Sequence, residues 1–268
     1  FLRESRELKL KKPFLNKADI DRRKKEIRKL KEHELDCIRR SDLTILTSHF
    51  EKQIIEKYDK KSKFLVLGLV MKKTKINKNF KNKKDIFFLG NYNHTPNIDA
   101  IRFFVKNVLN ILIKLGFKDN FLIVGTHKKR ELKQISNNYK QVKYLGFQKN
   151  LKNIFSKSRL FVSPLRFGAG VKGKLASCIA HGLPAICSKI TVEGMKIEKQ
   201  IVTYTNKKDF AKKILKYYQN EKLWIEYKKK IDITMEKNFG SRFFCQNLHK
   251  IFEAINVKIR INDKTKLF

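Results

Sequence analysis

Short apolar runs alternate with longer amphipathic segments between residues 85 and 230. The apolar runs predict buried strands, and segments with apolar residues three or four positions apart predict helices. The predicted strands lie at 86–89, 121–124, 142–145, 160–163, 185–187 and 201–204. The predicted helices lie at 97–115, 128–137, 151–157, 171–180 and 208–230. This alternation, with strands that are apolar throughout, predicts an α/β domain with a doubly wound parallel sheet.

The N-terminal segment carries a shorter version of the same pattern. Residues 1–40 are charged and have a narrow apolar stripe at helical spacing, which predicts helices. A strand, a helix and a second strand are predicted to follow at 43–47, 48–58 and 64–71. Ser48 and Glu51 form a capping box that marks the start of this helix.

A polar, lysine-rich segment at 72–84 separates the two patterns and has almost no apolar residues, which is typical of an interdomain linker. A final helix is predicted from residue 241 to about residue 255, and a charged tail follows it. The boundaries predict a first unit at 1–72, a linker at 73–84, a ligand-binding domain at 85–240, and a C-terminal helix and tail at 241–268.

The formal net charge is +38, from 63 Lys and Arg against 25 Asp and Glu. Taken alone, this charge indicates nucleic acid or an anionic membrane as a partner. The excess is mostly lysine, however, and it is spread along a chain that is also rich in Asn, Ile and Phe, as AT-biased codon use would produce. No RNP, zinc-finger or basic-zipper pattern accompanies it. We therefore interpret the charge as mainly compositional, with attraction to anionic lipid as a secondary effect.

The lengths of the apolar runs and the spacing of the cysteines indicate the cellular compartment. The longest apolar run, at 64–71, has eight residues, far fewer than the roughly 20 of a membrane-spanning helix. No signal peptide is visible at the start. The four cysteines form no C-x-x-C pair and no zinc spacing, which is typical of reduced thiols. We therefore expect a cytoplasmic protein, at most peripheral at the inner face of the membrane, without a bound metal.

Residues 160–184 hold the clearest candidate site, because an apolar strand there meets a glycine-rich turn that opens an amphipathic helix. Three glycines allow a ligand to approach the backbone closely, and the free N–H groups of a helix start attract an anion. Two lysines add positive charge at the same place. The candidate diphosphate-binding residues are Arg166, Gly168, Gly170, Val171, Lys172, Gly173 and Lys174.

Two common phosphate motifs match this segment only in part. The pattern G-x-G-x-x-G at 168–173, with Glu193 further on, fits the dinucleotide fingerprint. That fingerprint belongs in the first βα turn of its domain, whereas three predicted strands precede it here. The pattern G-x4-G-K at 168–174 fits most of a P-loop, but Leu175 stands where Ser or Thr would hold magnesium. The segment therefore disfavours a nicotinamide, flavin or NTPase site.

Several motifs in the same order resemble the nucleotide-sugar-binding domain of GT-B glycosyltransferases, most closely those of family 4. Residues 164–174 and 180–184 reproduce the family's PLRFGAGVKGK and A-x-G-L-P segments. Further matches to the first βα loop, the nucleobase-side loop and an acid-glycine pair lie at 90–97, 145–147 and 193–194. The resemblance covers about residues 85–230 and is more specific than a single glycine motif.

The resemblance implies a GT-B fold, with a Rossmann-like donor domain after a partial Rossmann-like acceptor-side domain. It implies transfer of a sugar from a nucleotide-diphosphate donor, such as a UDP-sugar or GDP-sugar, to a glycan, lipid-linked or other cell-envelope acceptor. Retention of configuration, no metal and no further cofactor are part of that expectation. Residues 1–4 resemble a segment that normally lies mid-domain, so we expect the chain to lack the start of its acceptor domain, and we nominate no catalytic residue.

The resemblance also assigns roles to individual residues. The two lysines would neutralise the diphosphate leaving group, and the final helix would cross back to the first domain. The implied nucleoside-binding residues are Phe147, Gln148 and Ser177. The implied residues on the sugar or phosphate side are Gly90, Asn91, His94, Glu193 and Gly194.

The chain departs from the family pattern at three places. Ser177 stands where members usually carry a Glu that grips the ribose hydroxyls, and Ala169 replaces a second Glu. The basic pair of the first βα loop is also missing, with Asn91 and His94 in that region. A serine cannot make the bidentate, charge-assisted contact of a carboxylate. Two alternatives therefore stay open, namely a nucleotide-binding GT-B module without catalysis and, on charge alone, a nucleic-acid-binding protein.

Overall fold

The computed structural model describes residues 1–74 and 79–254, which form two parallel sheets with helices packed against them. The smaller sheet has two strands and the larger has six. The predicted α/β class is therefore confirmed. Residues 75–78 of the predicted linker and the predicted tail from residue 255 lie outside the described residues.

The N-terminal unit builds the smaller sheet. Its elements are α1 (Leu2–Lys11), a 3-10 turn (Lys12–Phe14), α2 (Lys17–Arg39), β1 (Thr44–Leu46), α3 (His49–Ile55) and β2 (Phe64–Val66). Ser48 caps this helix as predicted, because its side chain accepts a hydrogen bond from the Glu51 N–H at 3.3 Å. The reciprocal half of the predicted capping box, from the Ser48 N–H to the Glu51 carboxylate, is not among the hydrogen bonds of the described residues.

The second strand of this unit is shorter than predicted. The apolar run at 64–71 predicts a strand of that length, but β2 ends at Val66. Its neighbour β1 offers only three residues for pairing, and one further hydrogen bond joins the Leu67 N–H to the Leu46 carbonyl at 2.9 Å. Beyond that point no described strand supplies a partner, so the rest of the run is not strand.

The larger sheet is fully parallel and doubly wound. Its strands are β3 (Lys84–Asn91), β4 (Phe121–Thr126), β5 (Val142–Gly146), β6 (Ser158–Ser163), β7 (Ala185–Cys187) and β8 (Val202–Thr203). They lie in the order β5-β4-β3-β6-β7-β8. This is the Rossmann order, in which the winding reverses between β3 and β6.

Helices connect these strands on both faces. They are α4 (Thr95–Phe104), a π-helical turn (Val105–Leu109), α5 (Asn110–Lys114), α6 (Lys129–Asn138), α7 (Lys152–Lys157), α8 (Gly173–Ala180), α9 (Lys189–Val192), α10 (Lys207–Gln219), α11 (Glu221–Asn238) and α12 (Ser241–Ala254). The predicted single helix at 208–230 is wrong. Asn220 is extended, and its side chain caps α11 by accepting from the Leu223 N–H at 3.0 Å.

The segment predicted as a linker is partly packed against the larger sheet. Phe80 is buried, and its ring meets that of Trp224 at 5.7 Å between centroids. The Lys83 ammonium is buried and donates to the carbonyls of Phe155 and Ser156 at 2.8 and 2.7 Å. Burial lowers the pKa of Lys83 to about 8. Residues 79–84 thus belong structurally to the sheet that follows them.

The last helix lies against the N-terminal unit. Phe243 and Asn247 of α12 line a cavity of about 360 Å³ together with Val66 and Leu69. The preceding residues are tied to the same segment, because the Met71 N–H donates to the Phe239 carbonyl at 2.8 Å. Within residues 1–74 and 79–254, no helix combines the length and apolarity needed to cross a membrane.

Candidate functional site

Two loops meet where the larger sheet changes its winding direction. Strands β3 and β6 are neighbours, and the loops after them lead into α4 and α8. The carboxyl ends of parallel strands at such a switch point form the usual ligand crevice of this architecture. Side chains join the two loops here, because the Lys174 ammonium hydrogen-bonds Asn97 and Arg166 pairs with Asp99. The predicted glycine-rich segment therefore lies at the crevice.

The glycine-rich turn needs two of its three glycines for backbone reasons. Gly168 and Gly170 have φ angles of +148° and +72°, which side-chain-bearing residues rarely adopt. Gly173 lies outside that region, and a Cβ there would meet no atom within 4 Å. It is the first residue of α8, and among the described residues nothing accepts from the N–H groups of Gly173 and Lys174. Free N–H groups and open space together suit an anion.

The two lysines are drawn in against this turn. Lys172 is 8% exposed, and its ammonium donates to the Gly170 carbonyl at 2.5 Å. The Lys174 ammonium lies 4.6 Å from the centre of the Phe88 ring. Burial lowers the pKa of Lys172 to about 8, which Glu193 partly offsets, and burial together with Lys172 lowers the pKa of Lys174 to about 7. Both ammonium groups would therefore gain from a bound anion.

These pKa values predict a pH dependence for anion binding. A lysine with a lowered pKa is neutral above that value, and a bound diphosphate favours its charged form, so binding at higher pH takes up protons. We expect the affinity for UDP to fall by at least about tenfold between pH 7 and pH 9. Calorimetry in two buffers of different ionisation enthalpy measures both effects. An affinity that stays constant over this range would show that the lysines do not meet the ligand.

The loop after β3 is held by one asparagine. A Cβ at Gly90 would lie 2.9 Å from the Cγ of Asn97, so glycine is needed for this close packing. The Asn97 amide donates to the Asn91 carbonyl at 2.7 Å, while its oxygen accepts from Lys174. His94 is exposed at the start of α4 and makes no capping hydrogen bond through its side chain. Asn97 thus links the two predicted loops.

Arg166 is already paired. Its guanidinium makes a two-pronged contact with the Asp99 carboxylate, with Nε at 2.9 Å from one oxygen, and this contact raises the pKa of Arg166. The side chain also lies over the Phe103 ring, at 5.2 Å from its centre. Its predicted role as a phosphate clamp would require it to share or leave Asp99.

Glu193 and Gly194 lie in the loop after α9, which is set by a buried hydroxyl cluster. Thr191 contacts the Ser163 hydroxyl at 2.9 Å and that of Ser188 at 3.0 Å. Gly194 has a φ of +77°, and a Cβ there would lie 2.1 Å from the Ser48 hydroxyl. The N-terminal unit therefore packs directly against this loop.

Sequence reasoning missed two residues of the N-terminal unit that reach the site. Arg6 of α1 forms an ion pair with Glu193 at 2.7 Å. Glu51 of α3 lines the same cavity as Gly170, and burial raises its pKa while Lys172 and the Gly170 backbone lower it. Both contacts join positions more than a hundred residues apart in the chain, so no local pattern could have indicated them.

The predicted nucleoside-side residues lie at the sheet edge and on α8. Phe147, after β5, is 70% exposed, which is unusual for an aromatic ring beside a strand. The neighbouring Gln148 donates to the Leu145 carbonyl at 2.9 Å. Strand β5 lies three strand spacings from β6, roughly 14 Å. Ser177 is half-buried, and no described residue hydrogen-bonds its hydroxyl.

Gly173 offers a test of ligand approach that separates binding from folding. We expect Gly173→Ala to leave the free energy of unfolding unchanged or to raise it by up to about 1 kcal/mol, because alanine favours a helix. A methyl group beside the free N–H groups should nevertheless weaken UDP binding by about tenfold, roughly one lost charged hydrogen bond. Urea unfolding and calorimetry on the same sample check both. Unchanged UDP affinity would mean that the ligand does not approach here.

The family model for glycosyl transferases group 1 matches residues 83–220, just over half of the chain. The chain belongs to this family. The matched region includes both loops of the crevice and all six strands of the larger sheet, from Lys84 at the start of β3 to Thr203 at the end of β8. No curated protein sequence matches the chain.

Solved structures show that this group 1 family member has the GT-B fold expected from its motifs. TarM of S. aureus is 16% identical, with a TM-score of 0.72 over 85% of this chain and 46% of TarM. Pneumococcal GtfA, solved with UDP and GlcNAc, is 15% identical, with a TM-score of 0.60 over 83% of this chain and 47% of GtfA. Anabaena HepE, solved with UDP and glucose, is 12% identical, with a TM-score of 0.61 over 82% of this chain and 64% of HepE. The chain spans about half the length of TarM and GtfA.

Proposed function

We propose that this chain is the donor-binding part, with a portion of the acceptor side, of a glycosyltransferase that uses a nucleotide-diphosphate sugar. The observation that carries the proposal is the glycine-rich turn at the switch point, where Lys172, Lys174 and two free N–H groups converge. Both ammonium groups have lowered pKa values and lack a carboxylate at hydrogen-bond distance among the described residues. A diphosphate supplies the charge that such a site favours.

In this proposal the same groups promote the chemistry. When the bond between the anomeric carbon and the diphosphate oxygen breaks, negative charge grows on the leaving diphosphate. Lys172, Lys174 and the N–H groups of α8 would stabilise this charge, because these donors lie together at the glycine-rich turn where the diphosphate is proposed to bind. We propose on this basis that transfer proceeds without a metal ion and, by analogy with the family, with retention of configuration.

The nucleoside would extend from α8 toward the sheet edge. Phe147 offers an exposed ring for stacking on a base, with Gln148 beside it, and Ser177 offers one hydroxyl to the ribose. On the sugar side lie the backbone of Gly90, Asn91 and Gly194 and the ring of His94. The UDP, GlcNAc and glucose found in the GtfA and HepE structures support a UDP-sugar as the first donor to try.

We propose that residues 1–72 are the acceptor-side part, that 73–84 lead into the donor domain at 85–240, and that α12 crosses back. A cavity of about 370 Å³ lies between the two parts, lined by Glu4, Glu34, Glu51 and the turn residues Ala169 and Gly170. It would admit the hydroxyl-bearing end of a glycan or lipid-linked acceptor next to the donor. A lipid-linked acceptor would bring the basic chain to an anionic membrane face.

A second candidate function rests on Ser177. With a serine in place of the expected ribose-binding carboxylate, the chain could be a nucleotide-binding GT-B module without transfer activity. Hydrolysis or transfer measured with the full-length protein on a panel of UDP- and GDP-sugars separates the two. Release of UDP or GDP above the rate without protein supports the enzyme, and tight nucleotide binding without turnover supports the module.

Calorimetry with UDP, GDP and a single-stranded oligonucleotide on one sample tests the proposal as a whole. We expect saturable binding of at least one nucleoside diphosphate that persists in moderate salt. Binding of the oligonucleotide alone, with a steep loss of affinity as salt rises, would instead assign the net charge of +38 to nucleic-acid binding and reject the nucleotide-sugar site.

A further inference from the structure

The glycine-rich turn is fixed from outside by one side chain of the N-terminal unit. We propose that Arg6 is a positioning residue that clamps this turn to the loop carrying Glu193, and that Arg6 and Glu193 act as one unit. The inference rests on the proposed function, because it assumes that the clamped turn binds the donor diphosphate. It assigns to Glu193 a role in shaping the site rather than direct contact with the sugar.

The contacts of Arg6 join three distant parts of the chain. Its Nη1 donates to the Gly168 carbonyl at 2.8 Å and to Glu193 Oε1 at 2.7 Å, and its Nη2 donates to Glu193 Oε2 at 2.9 Å. The guanidinium also lies over the Phe50 ring of α3, at 5.1 Å from its centre. The Arg6 and Glu193 side chains are only 18% and 21% exposed, so solvent screens the pair weakly.

The turn depends on such contacts because its own backbone does not hold it. Residues 164–171 make no backbone–backbone hydrogen bond with any other residue that the structure describes. Two side-chain hydrogen bonds reach its backbone, from Arg6 to the Gly168 carbonyl and from Lys172 to the Gly170 carbonyl. The Arg166 side chain links the turn to Asp99 of α4, and Arg6 links it to the loop that carries Glu193.

Both carboxylate oxygens of Glu193 are occupied by Arg6. A carboxylate held in this two-pronged way fixes the direction of its partner as well as its charge. If Glu193 is replaced, Arg6 loses the contact that aims it at Gly168, and if Arg6 is replaced, Glu193 is left without its partner. Losing either residue should therefore release the same turn, and losing both should add little.

A double-mutant cycle tests this unit with two readouts. The variants are Arg6→Met, Glu193→Gln and their combination, with Arg6→Lys as the conservative variant. Arg3→Met is a control on the same helix, because the Arg3 side chain is 45% exposed and pairs with Glu4. The first readout is amide hydrogen exchange of residues 165–172 without ligand. The second is the affinity for UDP. Thermal unfolding of each variant reports whether the fold persists.

We expect Arg6→Met and Glu193→Gln each to speed exchange in the turn and to weaken UDP binding by about tenfold, as loss of a charged hydrogen bond predicts. The double variant should match the single ones, Arg6→Lys should fall between them and the original protein, and Arg3→Met should change neither readout. If Arg6→Met lowers the thermal midpoint strongly, Arg6→Lys and Glu193→Gln still provide the comparison.

Two results would overturn the inference. Exchange in the turn that is unchanged in Arg6→Met and Glu193→Gln would show that the turn is held otherwise. Effects of the two substitutions that multiply in the double variant would show that Glu193 meets the ligand independently of Arg6. If the original protein binds neither UDP nor GDP, the proposed function fails, but the exchange data still decide whether the clamp exists.

Discussion

Replacing Lys172 and Lys174 together by alanine is expected to weaken UDP and GDP binding by at least about 100-fold, since each lysine supplies one charge-assisted contact. The fold should persist, because burial already disfavours both ammonium groups in the free protein and their removal relieves that cost. Calorimetry gives the affinity, and urea unfolding gives the free energy of unfolding. The loss should be in binding alone.

A matched control carries the same change in net charge at the opposite edge of the sheet. Lys118 and Lys140 are exposed and precede β4 and β5, so they lie at the amino ends of the strands. Lys118→Ala combined with Lys140→Ala should leave nucleotide affinity unchanged. Equal losses in the two double variants would mean that the chain attracts nucleotides through its overall charge and has no specific diphosphate site.

Gly125→Ala is expected to lower the free energy of unfolding by about 3 kcal/mol or more, the sum of backbone strain and overpacking. Gly125 lies in β4 beside Gly90 of β3, with a φ of +137°. A Cβ there would lie 1.8 Å from the Gly90 carbonyl oxygen, which is backbone and cannot turn aside. To avoid this collision the end of β3 would have to move away, which would disturb the loop at Asn91. Nucleotide affinity should therefore fall as well.

Gly116→Ala separates the collision from the backbone strain. Gly116 also has a positive φ, +99°, but a Cβ there would meet nothing within 4 Å. Gly116→Ala should lower the free energy of unfolding by only about 1–2 kcal/mol, because a residue with a side chain is strained in a left-handed conformation. Urea unfolding of both variants measures the difference. Equal losses would show that β3 and β4 yield easily at this point and that Gly90 is not fixed by close packing.

The larger sheet could be predicted because its strands are buried on both faces. The runs at 86–89 and 160–163 are apolar without interruption, and both lie inside observed strands. The glycine-rich turn could be predicted for a related reason, since Gly168 and Gly170 adopt angles that few other residues tolerate. Burial on both faces of a strand and a positive φ angle each restrict which residues can occupy a position, so both are visible in the local sequence.

Other features depend on partners that local composition does not record. The run at 64–71 has the composition of a strand, yet only three residues pair, because β1 is equally short. The sequence predicts Lys83 to lie in a polar linker, but its ammonium is buried among carbonyl groups at the end of α7. Asn220 breaks a continuous helical pattern through one capping hydrogen bond.

In the candidate site too, residues within the local motif could be predicted from the sequence, and residues brought there by packing could not. Lys172 and Lys174 follow from the motif, and their sequence positions are enough to predict a charged turn. Arg6 and Glu51 do not, because their roles arise only when the N-terminal unit packs against the turn. Arg166 and Glu193 were both predicted to bind the ligand, but in the structure Arg166 pairs with Asp99 and Glu193 pairs with Arg6.

A crystal structure of the protein with UDP would show directly whether the glycine-rich turn binds the diphosphate. We expect the diphosphate at the start of α8, within hydrogen-bond distance of the Gly173 and Lys174 N–H groups and of both lysine ammonium groups, with the base toward Phe147. Density for UDP at another place on this basic surface, with the glycine-rich turn unoccupied at saturating concentration, would contradict it.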